Sequence, residues 1–227
     1  MKTWISIFFL SMSLWAHGDL LKEVDSYRNP GESYSMAVTI KSPGESDPAK
    51  FLVYLKGNDK TLVKVLGPKN NLGRNMLMIG ENMWVYVPNI RRSVRVSLNQ
   101  KLTGEAANGD ISRMRWAGDY KSTVESKNSK ETVLFLEALK ENLTYAKIRV
   151  WISSADKRPL KADFLTLSGK VIKTASYEDY KTVLGKNRPM KIHIVDHLKK
   201  DQFSDIIIEK MENKNFPDTL FVEKSLE

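Results

Sequence analysis

The chain has 227 residues, no cysteine, and a formal net charge of +9 from 36 Lys and Arg against 27 Asp and Glu. The absence of cysteine excludes disulfides, thiolate metal sites, a cysteine nucleophile and an acylated N-terminal cysteine. The positive charge is spread along the chain and not gathered in one basic segment, so nucleic acid is a poor partner. Plain solubility or an anionic envelope surface fits it better, since each Lys or Arg near such a surface adds about 1 kcal/mol.

Lys2, the apolar run Ile5 to Trp15 and then Ala16-His17-Gly18 have the order of a secretory signal. The run is shorter than the ~20 residues of a spanning helix, and Asp19 and Lys22 follow at once. Residues 1–18 are therefore expected to be cleaved, leaving residues 19–227 as a single domain large enough to bury a core. No second apolar run of spanning length follows, so the mature product is expected to be soluble.

Leu20, Leu21, Val24 and Tyr27 recur at helical spacing, which predicts a short amphipathic helix with Asp19 as N-cap, stopped by Asn29-Pro30-Gly31. From there the period changes to two. Met36, Val38 and Ile40 alternate with Ala37, Thr39 and Lys41, and Phe51, Val53 and Leu55 with Leu52, Tyr54 and Lys56. Further strands are expected at 60–66, 75–79, 82–87, 93–97, 122–126 and 131–139, then at 146–152, 160–167, 170–177, 188–195 and 204–211. Gly109-Asp110 before Ile111, Met114 and Gly118 predicts a short helix capped by Asp110, and Asn215-Phe216-Pro217-Asp218 opens a terminal segment with proline near a first turn. The fold class is mainly β with short helices (α+β): one antiparallel meander curled around helices that plug its inner face.

A meander of about a dozen strands cannot stay flat, and curling creates an inside. In 82–87 both faces are bulky: Trp84 and Tyr86 on one, Met83, Val85 and Val87 on the other. Met76, Met78 and Met83 cluster, and Met114 lies on the predicted short helix; flexible thioethers suit either variable apolar ligands or ordinary core filling. Trp84, Trp116 and Trp151 have the same double reading as core or pocket wall. The candidate cavity wall is Phe51, Val53, Leu55, Met76, Met78 and Met83, with Trp84, Tyr86, Met114, Trp116, Ile148 and Val150.

Leu72-Gly73-Arg74, Met83-Trp84-Val85-Tyr86-Val87-Pro88, Arg91-Arg92, Arg95-Val96-Ser97, Gly109-Asp110-Ile111 and Asp119-Tyr120 follow one another in the centre of the chain, and Phe221 to Glu227 close it. In these motifs the sequence resembles the outer-membrane lipoprotein-sorting family with the LolA-like fold. The resemblance implies a half-open β-barrel with a helical lid, here Asp110, Ile111 and Met114. It also implies the periplasm of a Gram-negative bacterium as location, and a carrier that binds the acyl chains of lipoproteins or lipids in a hydrophobic cavity for transfer toward the outer membrane. An inner-membrane exporter and an outer-membrane acceptor are its expected partners, and the protein itself is expected to be a monomer. Thr103-Gly104-Glu105-Ala106-Ala107-Asn108 departs from the family's usual form. Arg91, Arg92 and Arg95 are candidates for headgroup or partner contact, or else a solvated sheet edge.

Chemistry is expected to be absent, with no cofactor. There is no phosphate-binding loop and no G-x-S-x-G elbow. His193 and His197 have helical metal-pair spacing but sit in strand alternation, so no metal is expected. Glu178-Asp179 reads as a solvated turn. A non-enzymatic envelope adaptor docked on an exporter, with a filled interior, is the alternative, and a lipid hydrolase a third reading.

Overall fold

The computed structural model describes residues 16–227. The expected signal segment lies outside them, apart from Ala16 to Gly18, which begin helix α1 (Ala16–Arg28). Asp19 is therefore inside α1 and is not its N-cap, because the apolar spacing that identifies the buried face says nothing about where the helix starts. The stop before Asn29-Pro30-Gly31 is as expected. Leu21 and Val24 are buried against the sheet. The orphan carbonyls at the end of α1 are met by Arg188, whose Nη1 donates to the carbonyls of Ser26 (2.6 Å) and Tyr27 (3.2 Å).

The first strands are β1 (Ser33–Lys41), β2 (Ala49–Lys56), β3 (Lys60–Gly67), β4 (Met76–Ile79), β5 (Asn82–Val87) and β6 (Arg92–Val96). A small hairpin, β7 (Lys101–Thr103) and β8 (Ala106–Ala107), leads into helix α2 (Asn108–Ser112). Then come β9 (Tyr120–Lys127), β10 (Glu131–Ala138), β11 (Lys147–Ser153) and β12 (Pro159–Leu165). The last three are β13 (Val171–Val183), β14 (Lys186–Asp196) and β15 (Phe203–Asn213), followed by 3-10 turns at Asp218–Leu220 and Glu223–Leu226.

The expected strands are present with small shifts at their ends, except β13, which runs on to Val183. There Glu178-Asp179 is not a turn: both lie within the strand, with Asp179 at a φ of 52°. The turn falls at Leu184-Gly185, both at positive φ, the geometry a tight hairpin needs. The β7–β8 hairpin was not legible because its strands are too short to show a period. Gly104 turns it at a φ of 51°, and a side chain there would collide with those of Ser42 and Ser204.

Thirteen strands form one antiparallel sheet in the order β6-β5-β4-β3-β2-β1-β15-β14-β13-β12-β11-β10-β9. β6 and β9 are its edges and do not pair with each other, so the barrel is not closed. Along one half, Met36, Val53, Val63, Met76 and Val85 are successive cross-strand neighbours; along the other, Leu134, Val150, Ala162, Ala175 and Ile194 are. All of these belong to or pack on one buried cluster together with α1 and α2, so the two halves of the sheet bend toward each other around it. The stretch between the edges, residues 97–119, crosses this inner face.

The outer face of β3 to β5 has a separate cluster. Leu62 and Leu77 are covered by Phe216, Phe221 and Leu226 of the C-terminal segment, with Trp84 and Tyr86 packed beside them. Asn75 fastens the end of this strap, donating to the carbonyl of Leu226 at 2.9 Å while accepting from the amide of Val65 at 3.1 Å. Phe221 is buried and meets Phe216 edge-on at 6.4 Å. Phe221→Ala is expected to cost about 3 kcal/mol, read as a lower urea midpoint at unchanged slope.

Candidate functional site

Three polar contacts hold the crossing segment against the inner face. Thr61 of β3 donates to the carbonyl of Ser112 at 2.7 Å. Arg113 makes a bidentate pair with Asp119, Nε to Oδ2 at 2.5 Å and Nη2 to Oδ1 at 2.7 Å, and its Nη1 donates to the carbonyl of Gly80 at 2.6 Å. Asp25 of α1 accepts the amides of Trp116 (2.7 Å) and Ala117 (2.6 Å) on a single oxygen, Oδ2. Its other oxygen makes no hydrogen bond among the described residues and faces Nη1 of Arg28 at 3.6 Å. The Arg28 guanidinium lies 3.8 Å from the ring centre of Trp116, so cation, indole and carboxylate form one buried stack. Burial raises the Asp25 carboxyl to about 6, against the opposing pull of Arg28.

Asp110 is the third residue of α2 and not its cap. Its carboxylate reaches back to the amide of Ala107 at 2.8 Å and accepts from the Tyr145 hydroxyl at 3.1 Å. Neighbouring Ile111, and Met114 beyond the helix, are buried in the inner cluster, and Gly109 lies so close to Thr144 that a side chain could not fit.

One part of the inner face is left open. At the β6–β7 end a cavity of about 530 Å³ has a floor of Phe51, Val65, Met76, Val85, Val96 and Leu102. Asn71, Arg74, Gln100 and Lys101 stand at its mouth, and Asn108 closes its inner end. The volume is within the range of about 300–1,000 Å³ typical of small-molecule sites. One wall is the β7–β8 hairpin, formed by the segment that departs from the family pattern; it docks through the Glu105 amide, which donates to Ser204 Oγ at 2.6 Å, and through the Thr103 hydroxyl, which donates to Glu45 Oε1 at 3.3 Å.

Of the candidate cavity residues, Phe51 and Met76 line this space. Val53, Leu55, Met78, Met83, Met114, Trp116, Ile148 and Val150 share the same face but are packed into the buried cluster. Trp84 and Tyr86 require correction. Their neighbours across β4 to β6, Leu77, Arg95 and Ser93, place them on the outer face, where the C-terminal segment covers them, so they cannot line the same space as Met83. Trp151 is also turned away from the cluster, with Lys161 Nζ 4.1 Å above its ring. All three arginines are exposed: Arg91 sits in a turn at a φ of 50°, Arg92 begins the edge strand, and Arg95 is paired across from Trp84 and bonds Asn82. His193 bonds Asp205 at 2.7 Å and His197 bonds Thr174 at 2.7 Å, so the two do not converge.

The sequence reading missed Asp25, Arg28 and Arg113, which bring distant segments together, and the mouth residues Arg74 and Lys101. Leu72-Gly73-Arg74 was recognised as a motif, and Gly73, at a φ of 79°, is the visible sign of a bend there.

The geometry agrees with the comparisons. A family model described only as an uncharacterized protein matches residues 57–227. A LolA superfamily protein from Nitrosomonas europaea is 33% identical, with 91% of this chain and 97% of that one aligned at a TM-score of 0.85. A domain from Vibrio parahaemolyticus described as a candidate outer membrane lipoprotein-sorting protein is 20% identical, with 93% and 98% aligned at a TM-score of 0.77, a likeness of fold. No curated protein matches. The chain has the LolA-like fold, and it belongs to the LolA superfamily. Among the described residues no helix is long and apolar enough to cross a membrane.

The raised pKa of Asp25 has a pH signature. Its proton is held more tightly in the folded than in the unfolded chain, so its contribution to stability is present below the unfolded value of 3.8 and is lost as pH rises through about 6. Relative to Asp25→Asn, the wild-type melting temperature is expected to fall between pH 4 and pH 7. A parallel pair of melting curves would contradict the assignment.

Proposed function

We propose that this chain is a periplasmic, non-enzymatic carrier that binds acyl chains of lipids or lipoproteins at the open end of its inner face, for transfer toward the outer membrane. The observation that carries the reading is the cavity of about 530 Å³ floored by six apolar side chains beside the buried cluster. Each methylene moved from water to such a floor contributes about 0.8 kcal/mol, against the cost of ordering the chain. Membership of the LolA superfamily supports the reading, as does the sorting role ascribed to the Vibrio domain. The working unit is residues 19–227 as a monomeric single domain after removal of residues 1–18. An inner-membrane exporter and an outer-membrane acceptor are its partners.

In this reading the packed residues Val53, Leu55, Met78, Met83, Ile148 and Val150 are the part of the wall that longer or additional chains would reach. For that the segment holding Asp110, Ile111, Met114 and Trp116 must lift as a lid, breaking the hydrogen bond that Asp25 accepts from the Trp116 amide and the one that Thr61 donates to Ser112. The extent of filling favours a second reading, an adaptor whose inner face is closed and whose outer face docks onto an exporter.

Native mass spectrometry of freshly purified protein separates the two. The carrier is expected to retain a lipid-sized mass, and Val85→Trp, which fills the floor from β5, is expected to lose it with little change in melting temperature. Wild-type protein that neither retains nor accepts lipid would sink the carrier and leave the adaptor.

A further inference from the structure

The lining of the cavity is unbalanced in charge. Two cations, Arg74 and Lys101, stand at its mouth, and no acidic residue lines it, the carboxylate of Glu45 meeting the lining only at the Thr103 hydroxyl, 3.3 Å away. Arg74 is exposed and has no ion pair among the described residues. The nearest carboxylate to Lys101, that of Glu105, is 3.9 Å away and is shared with Lys199 at 3.8 Å. Asn71 and Gln100 add uncharged polar groups to the same rim.

The space also limits the number of tails. A methylene occupies about as much volume as a water molecule in the liquid, about 30 Å³. With the crossing segment in place the cavity is thus filled by one chain of about 18 carbons, because the neighbouring inner face is packed.

Resting on the carrier reading, we propose that the cavity takes a free lipid with one hydrocarbon tail and an anionic head, the tail on the Phe51–Met76–Val85 floor and the head between Arg74 and Lys101. An acylated protein terminus is a weaker fit, because its amide- and ester-linked chains carry no charge where they meet the polypeptide. A cationic head meets two like charges. The shared chemistry of the ligand is a carboxylate or a phosphate ester on a single chain.

The test is calorimetric titration of the full mature chain with four dodecyl amphiphiles below their micellar concentrations: dodecanoate, dodecyl phosphate, a neutral polyoxyethylene dodecyl ether and dodecyltrimethylammonium. Two exposed ion pairs together are worth about tenfold. The anionic pair is therefore expected to bind about tenfold more tightly than the neutral ether, with the tighter of the two assigning the head, and the cation is expected to bind most weakly. Arg74→Glu with Lys101→Glu is expected to remove the preference for the anions while leaving the ether unchanged and the melting temperature close to wild type, since both side chains are exposed. Equal binding of anion and ether by the wild type, or a preference that survives the double substitution, overturns the headgroup assignment and leaves the carrier intact. Failure of all four amphiphiles to bind overturns both.

Discussion

Among the described residues an open sheet of thirteen strands has an inner face that no second sheet of comparable size covers, and keeping that face from water is the constraint to which the rest of the molecule responds. The chain meets it with its own residues. α1 enters from the N-terminus, and the stretch that joins the two unpaired edges, β6 to β9, crosses the inside instead of running over the surface. The cavity at the β6–β7 end is where that covering stops short.

Such a plug has backbone groups to satisfy away from water, and this accounts for the buried charges around it. Asp25 meets two amides of the crossing segment, Thr61 donates to a carbonyl of that segment, and Arg113 with Asp119 closes its loop against Gly80. Buried pairs of this kind add little net stability over an apolar substitute, but removing one partner leaves a charge stranded. They therefore fix where the plug sits more than how strongly it is held. The elevated Asp25 carboxyl is the part of this arrangement in which the cost of burial exceeds the pull of its partner.

The outer face behaves differently. Over β3 to β5 it is apolar too, but there the C-terminal strap covers it, with Phe216, Phe221 and Leu226 as the inserted side chains. That is why strands such as β5 carry bulky groups on both sides: Met83 and Val85 serve the interior, Trp84 and Tyr86 the strap. The two layers give the sheet an apolar inside that opens at the β6–β7 end and an outside covered at the same end.

Strand identity and the mainly β class were legible in the sequence because alternation is local and the pleat has a period of two. The superfamily was legible because the central motifs keep their order along the chain. The alternation of β5 also separated Trp84 and Tyr86 from Met83 and Val85, but which set faces inward depends on what lies across the sheet, and only the C-terminal strap decides it. The β7–β8 hairpin was invisible for a related reason: its strands are too short for a period, and Gly104 is held in place by Ser42 and Ser204, 62 and 100 residues away in the chain. The sequence by itself thus determined which segments are strands and that their inner side is greasy. Tertiary structure alone decided which part of that side remains open and that Arg74 and Lys101 stand at its mouth, because an opening is whatever distant segments fail to fill.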